Sequence, residues 1–196
     1  MTISTNSSWF ENLCDGVMWF LDVIFVPDIA YAASFKFLSP KARTLLKNLE
    51  GLRLFPYDDG DGKAIISTNH KYKGYPTIGY GHLLSKEEVT EKLIKEGWTL
   101  IQADEALTKD LARFEHNLSM KSRRELNQNQ TDACLLFMFN IGINAFNTST
   151  LLRLINQGKF KEAAGQFERW VYTNGKKSEG LLNRRKKEKA LFLGEI

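Results

Sequence analysis

The chain has 196 residues, of which 43% are hydrophobic, 12% aromatic and 26% charged, with a formal net charge of +4. That length suits one domain with a sizeable core, or one domain plus a short appendage. The balance excludes a collagen-like chain, an intrinsically disordered one and a polytopic membrane protein.

The charge is unevenly spread. Residues 1–35 hold Glu11, Asp15, Asp22 and Asp28 with no Lys or Arg, a net of −4, whereas the remainder sets 19 acids against 27 bases, a net of +8. A basic body points to an anionic partner. No basic stripe is interleaved with aromatics, so nucleic acid is not the partner expected. The two cysteines, Cys14 and Cys134, make no disulfide framework and no zinc spacing, and are expected as free buried thiols.

The chain opens with an apolar acidic arm over residues 1–37. Nine of the ten residues 17–26 are apolar, with Asp22 among them and Pro27-Asp28 behind. A membrane-spanning helix needs roughly 20 apolar residues, so this run is too short. Ala30-Tyr31-Ala32 has the small-x-small form of a signal cleavage site, but the residues before it are acidic where a signal carries positive charge. The arm is therefore expected to dock on the body or on a partner, with a cleaved signal and a weak membrane tether as alternatives.

The body, residues 38–196, begins with a helix start at Ser39-Pro40. Ala42, Leu45, Leu46 and Leu49 follow at helical spacing, and Glu50-Gly51 closes the helix. From 52 to 82 the pattern changes. Six glycines between Gly51 and Gly81 mix with Tyr, Ile, Thr, Asp and Asn, which reads as short antiparallel strands joined by turns. Ser85-Lys86-Glu87-Glu88 reads as a capping box opening a helix through Val89, Leu93 and Ile94. Ala103, Ala106, Leu107, Leu111, Phe114 and Leu118 predict a long amphipathic helix. Residues 132–141 are apolar nearly all round, as in a central buried helix stopped by Gly142. A further amphipathic helix is expected from Phe160 to Val171, and a basic one over 181–192.

Several residues in this frame could carry chemistry. Glu50 sits at a helix C-terminus, where the macrodipole disfavours a negative charge. Tyr57-Asp58-Asp59-Gly60 and Asp61 follow. They read as a turn, or as an Asp facing Glu50 across a site; a calcium loop would need a closing acid, and Ala64-Ile65-Ile66 stands there instead. Two facing carboxylates are what glycosidic bond cleavage requires. Pro76-Thr77-Ile78-Gly79-Tyr80-Gly81-His82 adds a hydroxyl and a histidine on a hairpin. Its Gly-x-Gly is no dinucleotide fingerprint, and there is no phosphate loop. Asn140 is a polar residue in an apolar helix, either facing a ligand or capping the helix before Gly142.

Glu50-Gly51-Leu52-Arg53-Leu54, Tyr57, Asp59 and Thr77-Ile78-Gly79-Tyr80-Gly81-His82-Leu83-Leu84 together resemble the active-site signature of the phage-type lysozymes. Phe137-Met138-Phe139-Asn140-Ile141-Gly142, Leu182-Asn183-Arg184-Arg185 and Glu188-Lys189-Ala190-Leu191-Phe192 match that family's later motifs in order and character. The resemblance implies an α+β, lysozyme-like fold, mostly helical with a small antiparallel sheet. It also implies a muramidase that cleaves the β-1,4 bond between N-acetylmuramic acid and N-acetylglucosamine in peptidoglycan. By the same resemblance Glu50 is the general acid, Asp59 the carboxylate that orients water, and Thr77 the hydroxyl that helps hold it. His82 buttresses the region of the acid, Leu83 lines the substrate, Asn140 faces it, and Arg184 pairs with Glu50.

The span from Asp59 to Thr77 exceeds that of the most compact members, so Asp58 and Asp61 stay open as alternatives to Asp59. No metal or organic cofactor is expected. The basic body suits the stem-peptide carboxylates of peptidoglycan, with Lys186, Lys187 and Lys189 as contributors. A monomer is expected, made in the cytoplasm and acting on the periplasmic wall, as a phage lysis enzyme or a delivered toxin. In the toxin case the arm would meet a delivery machine or an immunity protein. A lytic transglycosylase and a non-catalytic glycan-binding module are the rival functions.

Overall fold

In the computed structural model the described residues are 36–173 and 175–196. The apolar run, the cleavage-like tripeptide and Cys14 lie outside them. The first helix, α1 (Pro40–Glu50), starts as its sequence predicts: Ser39 is extended and its hydroxyl accepts from the Ala42 N–H. Ala42 and Leu46 enter the core, and Gly51 ends the helix with φ +72°, a left-handed conformation that costs glycine little.

β1 (Arg53–Asp58), β2 (Pro76–Gly79) and β3 (His82–Leu83) form an antiparallel sheet in that order. The register sets Thr77 opposite both Tyr57 and Leu83, and Asp58 opposite Pro76. A small apolar cluster of Ile65, Ile78, Leu84 and Val89 packs with Trp98, Leu93, Ile94 and Tyr72.

The predicted capping box is corrected. Residues 86–88 are a turn: the Glu88 carboxylate accepts from the Ser85 N–H at 2.7 Å, but the helix α2 (Glu91–Glu96) begins later, capped by Thr90. Only half of the reciprocal box forms, and Val89 is buried ahead of the helix rather than inside it. The long helix α3 (Leu100–Lys121) has a true capping box of Thr99 and Gln102 and packs on β2, β3 and the next helix.

α4 (Gln128–Ile141) is the centre of the main core. Eight successive residues from Thr131 to Met138 are buried, so no face of this stretch meets water. Two short helices, α5 (Ile143–Asn147) and α6 (Thr150–Asn156), follow where no periodicity announced them. The amphipathic helix expected from Phe160 is broken: α7 (Phe160–Ala164) ends at Gly165, a 3₁₀ turn spans Phe167–Arg169, and Trp170 and Val171 lie beyond it. A hairpin of β4 (Tyr172–Thr173) and β5 (Lys176–Lys177) leads into α8 (Glu179–Leu193), which packs on α4. Cys134 is a free thiol buried in α4, where burial pushes its ionisation far up.

Candidate active site

Glu50 is the last residue of α1, and both ends of that helix are indexed by α4. At the start, Asp132 of α4 accepts from the Ser39 N–H at 2.9 Å and from its hydroxyl at 2.6 Å. At the end, Arg184 of α8 donates through Nη2 to the Leu136 carbonyl of α4 and sets Nη1 2.7 Å from Glu50 Oε1. The helix end that should repel a carboxylate thus carries a buried guanidinium beside it. The contact is one of charge rather than a directed bond, because Glu50 Oε1 is buried without a hydrogen-bond partner.

Arg184 belongs to a larger buried group that residue types alone did not announce. Its Nε donates to Glu188 at 3.0 Å, and Arg185 Nη1 donates to the other oxygen of Glu188 at 2.5 Å. Arg185 lies over the Phe137 ring and reaches the Asn140 side-chain oxygen through Nη2. Arg185 and Glu188 are fully buried. Burial pushes the Glu188 carboxyl above its ordinary range against the pull of the two guanidiniums, and burial lowers Arg185. Asn140 is exposed at the end of α4, and its oxygen accepts from Arg185.

On the sheet side three neighbouring aspartates meet three fates. Asp58 is wholly buried and accepts from the Gly60 and Gly74 N–H groups on one oxygen. Its other oxygen accepts from the Lys73 N–H at 2.7 Å and faces His70 Nε2 at 3.2 Å. The Lys73 N–H is the largest influence holding the Asp58 carboxyl down at about 2, with burial opposing and the glycine N–H groups and His70 assisting. Asp61 accepts from the Lys63 N–H and pairs with the ammonium groups of Lys63 and Lys73. Asp59 is exposed, and its Oδ1 accepts from the Tyr75 N–H at 2.6 Å while its own N–H donates to the Tyr75 carbonyl. A Cβ on Gly74 would fall 2.0 Å from Asp59 Oδ1 and 2.5 Å from the Gly60 nitrogen. The tight loop therefore needs glycine at position 74.

Tyr57 links the two sides. Its phenol is shifted upward, first by burial, with the Arg53 guanidinium opposing and the charges of Asp59 and Glu50 adding. Both carboxylates thus lie within electrostatic reach of one hydroxyl. Thr77, opposite Tyr57, is buried and donates its hydroxyl proton to the Tyr75 carbonyl at 3.1 Å. Leu83, opposite Thr77 on the other side, is 57% exposed, an apolar side chain open to a ligand.

His82 bonds elsewhere. Its Nδ1 is 2.8 Å from Asp110 of α3 and its ring lies against Trp98. Asp110 shifts the imidazole upward, with burial opposing. The polar anchor of His82 is therefore α3, a partner that motif reading did not identify. Lys189, expected to contribute to the basic surface, pairs with Glu168 at 2.7 Å. Grooves of about 610 and 470 Å³ are lined by other residues, around Trp98 and around Arg153. No group of three or more His, Cys, Asp or Glu among the described residues is placed to hold a metal ion.

Comparison with known proteins places this geometry. The Phage lysozyme family matches residues 47–188. The endolysin of Salmonella phage P22 is 38% identical over 158 residues, covering 80% of this chain and 97% of the relative. The endolysin of Bacillus phage PZA is 36% identical over 155 residues, covering 79% of this chain. The chain spans 54% of the length of that second relative. The crystal structure of a P22 lysozyme mutant superposes with a TM-score of 0.65 at 34% identity, covering 81% of this chain and 99% of the other. The small sheet between helices, the acid at the end of α1 and the ordered motifs have the same explanation: the chain belongs to the phage lysozyme family.

Proposed function

We propose that the chain is a peptidoglycan hydrolase, a muramidase that cleaves the β-1,4 bond between N-acetylmuramic acid and N-acetylglucosamine. The observation that carries the reading is the division of labour around Tyr57: a half-buried Glu50 on one side and an exposed Asp59 on the other. Glu50 in its acid form donates a proton to the bridging oxygen as the C–O bond breaks. Asp59, ionised, stabilises the oxocarbenium-like charge and, with Thr77, holds the water that attacks the anomeric carbon. Water attacking from the face opposite the leaving group inverts the anomeric centre, which calls for carboxyl groups roughly 6.5–9.5 Å apart.

Asp59 is favoured over its neighbours because each of them is spent. Asp58 is saturated by backbone donors inside the protein, and Asp61 is neutralised by two lysines. Asp59 is exposed and takes a single backbone donor on one oxygen, without the two lysines that Asp61 carries. Leu83 and Asn140 flank the site as substrate contacts, and His82 supports the hairpin from α3. The basic body attracts the acidic wall polymer. The enzyme would act as a monomer on the periplasmic wall and cause lysis, with residues 1–37 meeting whatever carries it there.

Clearing of permeabilised Gram-negative walls tests the reading. Glu50→Gln should lose about 10²–10⁴-fold of the rate, the usual contribution of a positioned general acid. Equal clearing by the variant would remove Glu50 from the mechanism. Product analysis should find ordinary reducing ends; anhydro-sugar ends would make the enzyme a lytic transglycosylase instead.

A further inference from the structure

Glu188 has no part in the bond cleavage just described, yet it is fully buried and both its oxygens are taken by guanidinium groups. Arg184 is shared. Its directed bonds go to Glu188 and to the Leu136 carbonyl, while Glu50 receives only the proximity of Nη1 at 2.7 Å. An undivided guanidinium at that distance would favour the carboxylate form of Glu50, the opposite of what a proton donor needs. With Glu188 ionised by the guanidinium groups on both its oxygens, the two arginines leave one positive charge facing Glu50 instead of two.

The other groups in reach add little to this balance. From β1, Tyr57 faces Glu50 with a phenol shifted upward by burial and so uncharged near neutrality. From α4, the Cys134 thiol faces Glu188 and is kept un-ionised, first by burial and then by Glu188 itself. Across the 3₁₀ turn, Glu168 is occupied with Lys189.

We propose that Glu188 is a positioning residue that acts on Glu50 through Arg184. By drawing on the same guanidinium it limits the positive charge that Arg184 presents to the acid. The inference rests on the reading of Glu50 as the acid.

The test is the pH profile of kcat/KM of the full chain on isolated cell walls, for the wild type, Glu188→Gln and Arg185→Met. Glu188→Gln leaves two positive charges, so the alkaline limb should move down by about one pH unit. Arg185→Met leaves none in excess, so the limb should move up by a similar amount. A purely structural role would lower activity in both without moving the limbs in opposite directions. In the wild type, carboxyl ¹³C NMR should find Glu188 ionised throughout the pH range of activity.

Coincident limbs, limbs displaced in the same direction, or a protonated Glu188 in that range would each overturn the proposal. If one variant does not fold, the other and the wild-type NMR decide; if neither folds, the NMR decides alone. An active Glu50→Gln would overturn the proposed function itself, whereas an inactive one with unmoved limbs would overturn only this inference.

Discussion

On the helical side of the site, Glu50 and Glu188 are balanced by two guanidinium groups in an apolar interior. On the sheet side, Asp58 and Asp59 are held almost wholly by backbone N–H groups of one glycine-bearing loop. The difference is one of what can be adjusted. Charge shared between side chains tunes a proton, while backbone donors fix a position and keep a carboxylate ionised. The proton donor proposed at Glu50 suits the first arrangement, and the ionised carboxylate proposed at Asp59 suits the second.

The largest effect expected from breaking this contrast is on stability. Glu188→Ala leaves two buried guanidiniums short of a counter-ion and should cost about 3–5 kcal/mol, read from denaturant unfolding. On the sheet side, Gly74→Ala drives a Cβ into the Asp59 carboxylate and the Gly60 backbone. It should cost about 1–3 kcal/mol by overpacking and lower kcat more than KM, because Asp59 is displaced while the helical side stays in place.

Next in size is an acid sensitivity specific to Asp58. Its carboxyl is held down at about 2 in the folded chain, below the unfolded value of about 3.9. Its stabilising contribution is therefore complete above that unfolded value and lost as pH falls through the folded one. Thermal unfolding of the wild type should fall steeply in that window, and Asp58→Asn should be less stable at neutral pH with a flatter acid limb. A wild-type limb no steeper than the variant's would refute the role given to the loop donors.

The smallest effect expected is at the partly exposed His82–Asp110 pair. Here the folded imidazole is shifted upward, so its contribution is complete below the unfolded value of about 6.5 and lost as pH rises through the folded one. Asp110→Asn should remove that alkaline decline in stability, and an unchanged decline would place its origin elsewhere. Solvent screening of a pair this exposed keeps the effect small.

Local signals were reliable where a residue's role depends on its chain neighbours. Ser39-Pro40 starts α1 and Gly51 ends it because capping and positive φ are properties of the adjacent backbone. The α4 segment reads as buried because a helix apolar on every side has nowhere else to go. The same signals failed where a partner came from far away in the chain. Glu88 folds back on Ser85 without opening a helix, since Val89 is claimed by the sheet cluster. Gly165 divides what periodicity joined; α6 is opened by its Ser149 cap, while α5 has no side-chain cap and is too short to show a period.

Amino-acid order by itself determined the placement of an acid at a helix end, a small sheet after it, and an excess of positive charge on the body. These follow from capping, glycine turns and composition, each of short range. Only the tertiary structure distinguishes the surroundings of Asp58, Asp59 and Asp61, which differ in burial, donors and ion pairs and not in type. It alone brought the Arg184–Glu188 pair of α8 to Glu50, and His82 to Asp110. The physical reason is that a carboxylate's chemistry is set by the dielectric and the charges around it, and those are supplied by residues distant in the chain.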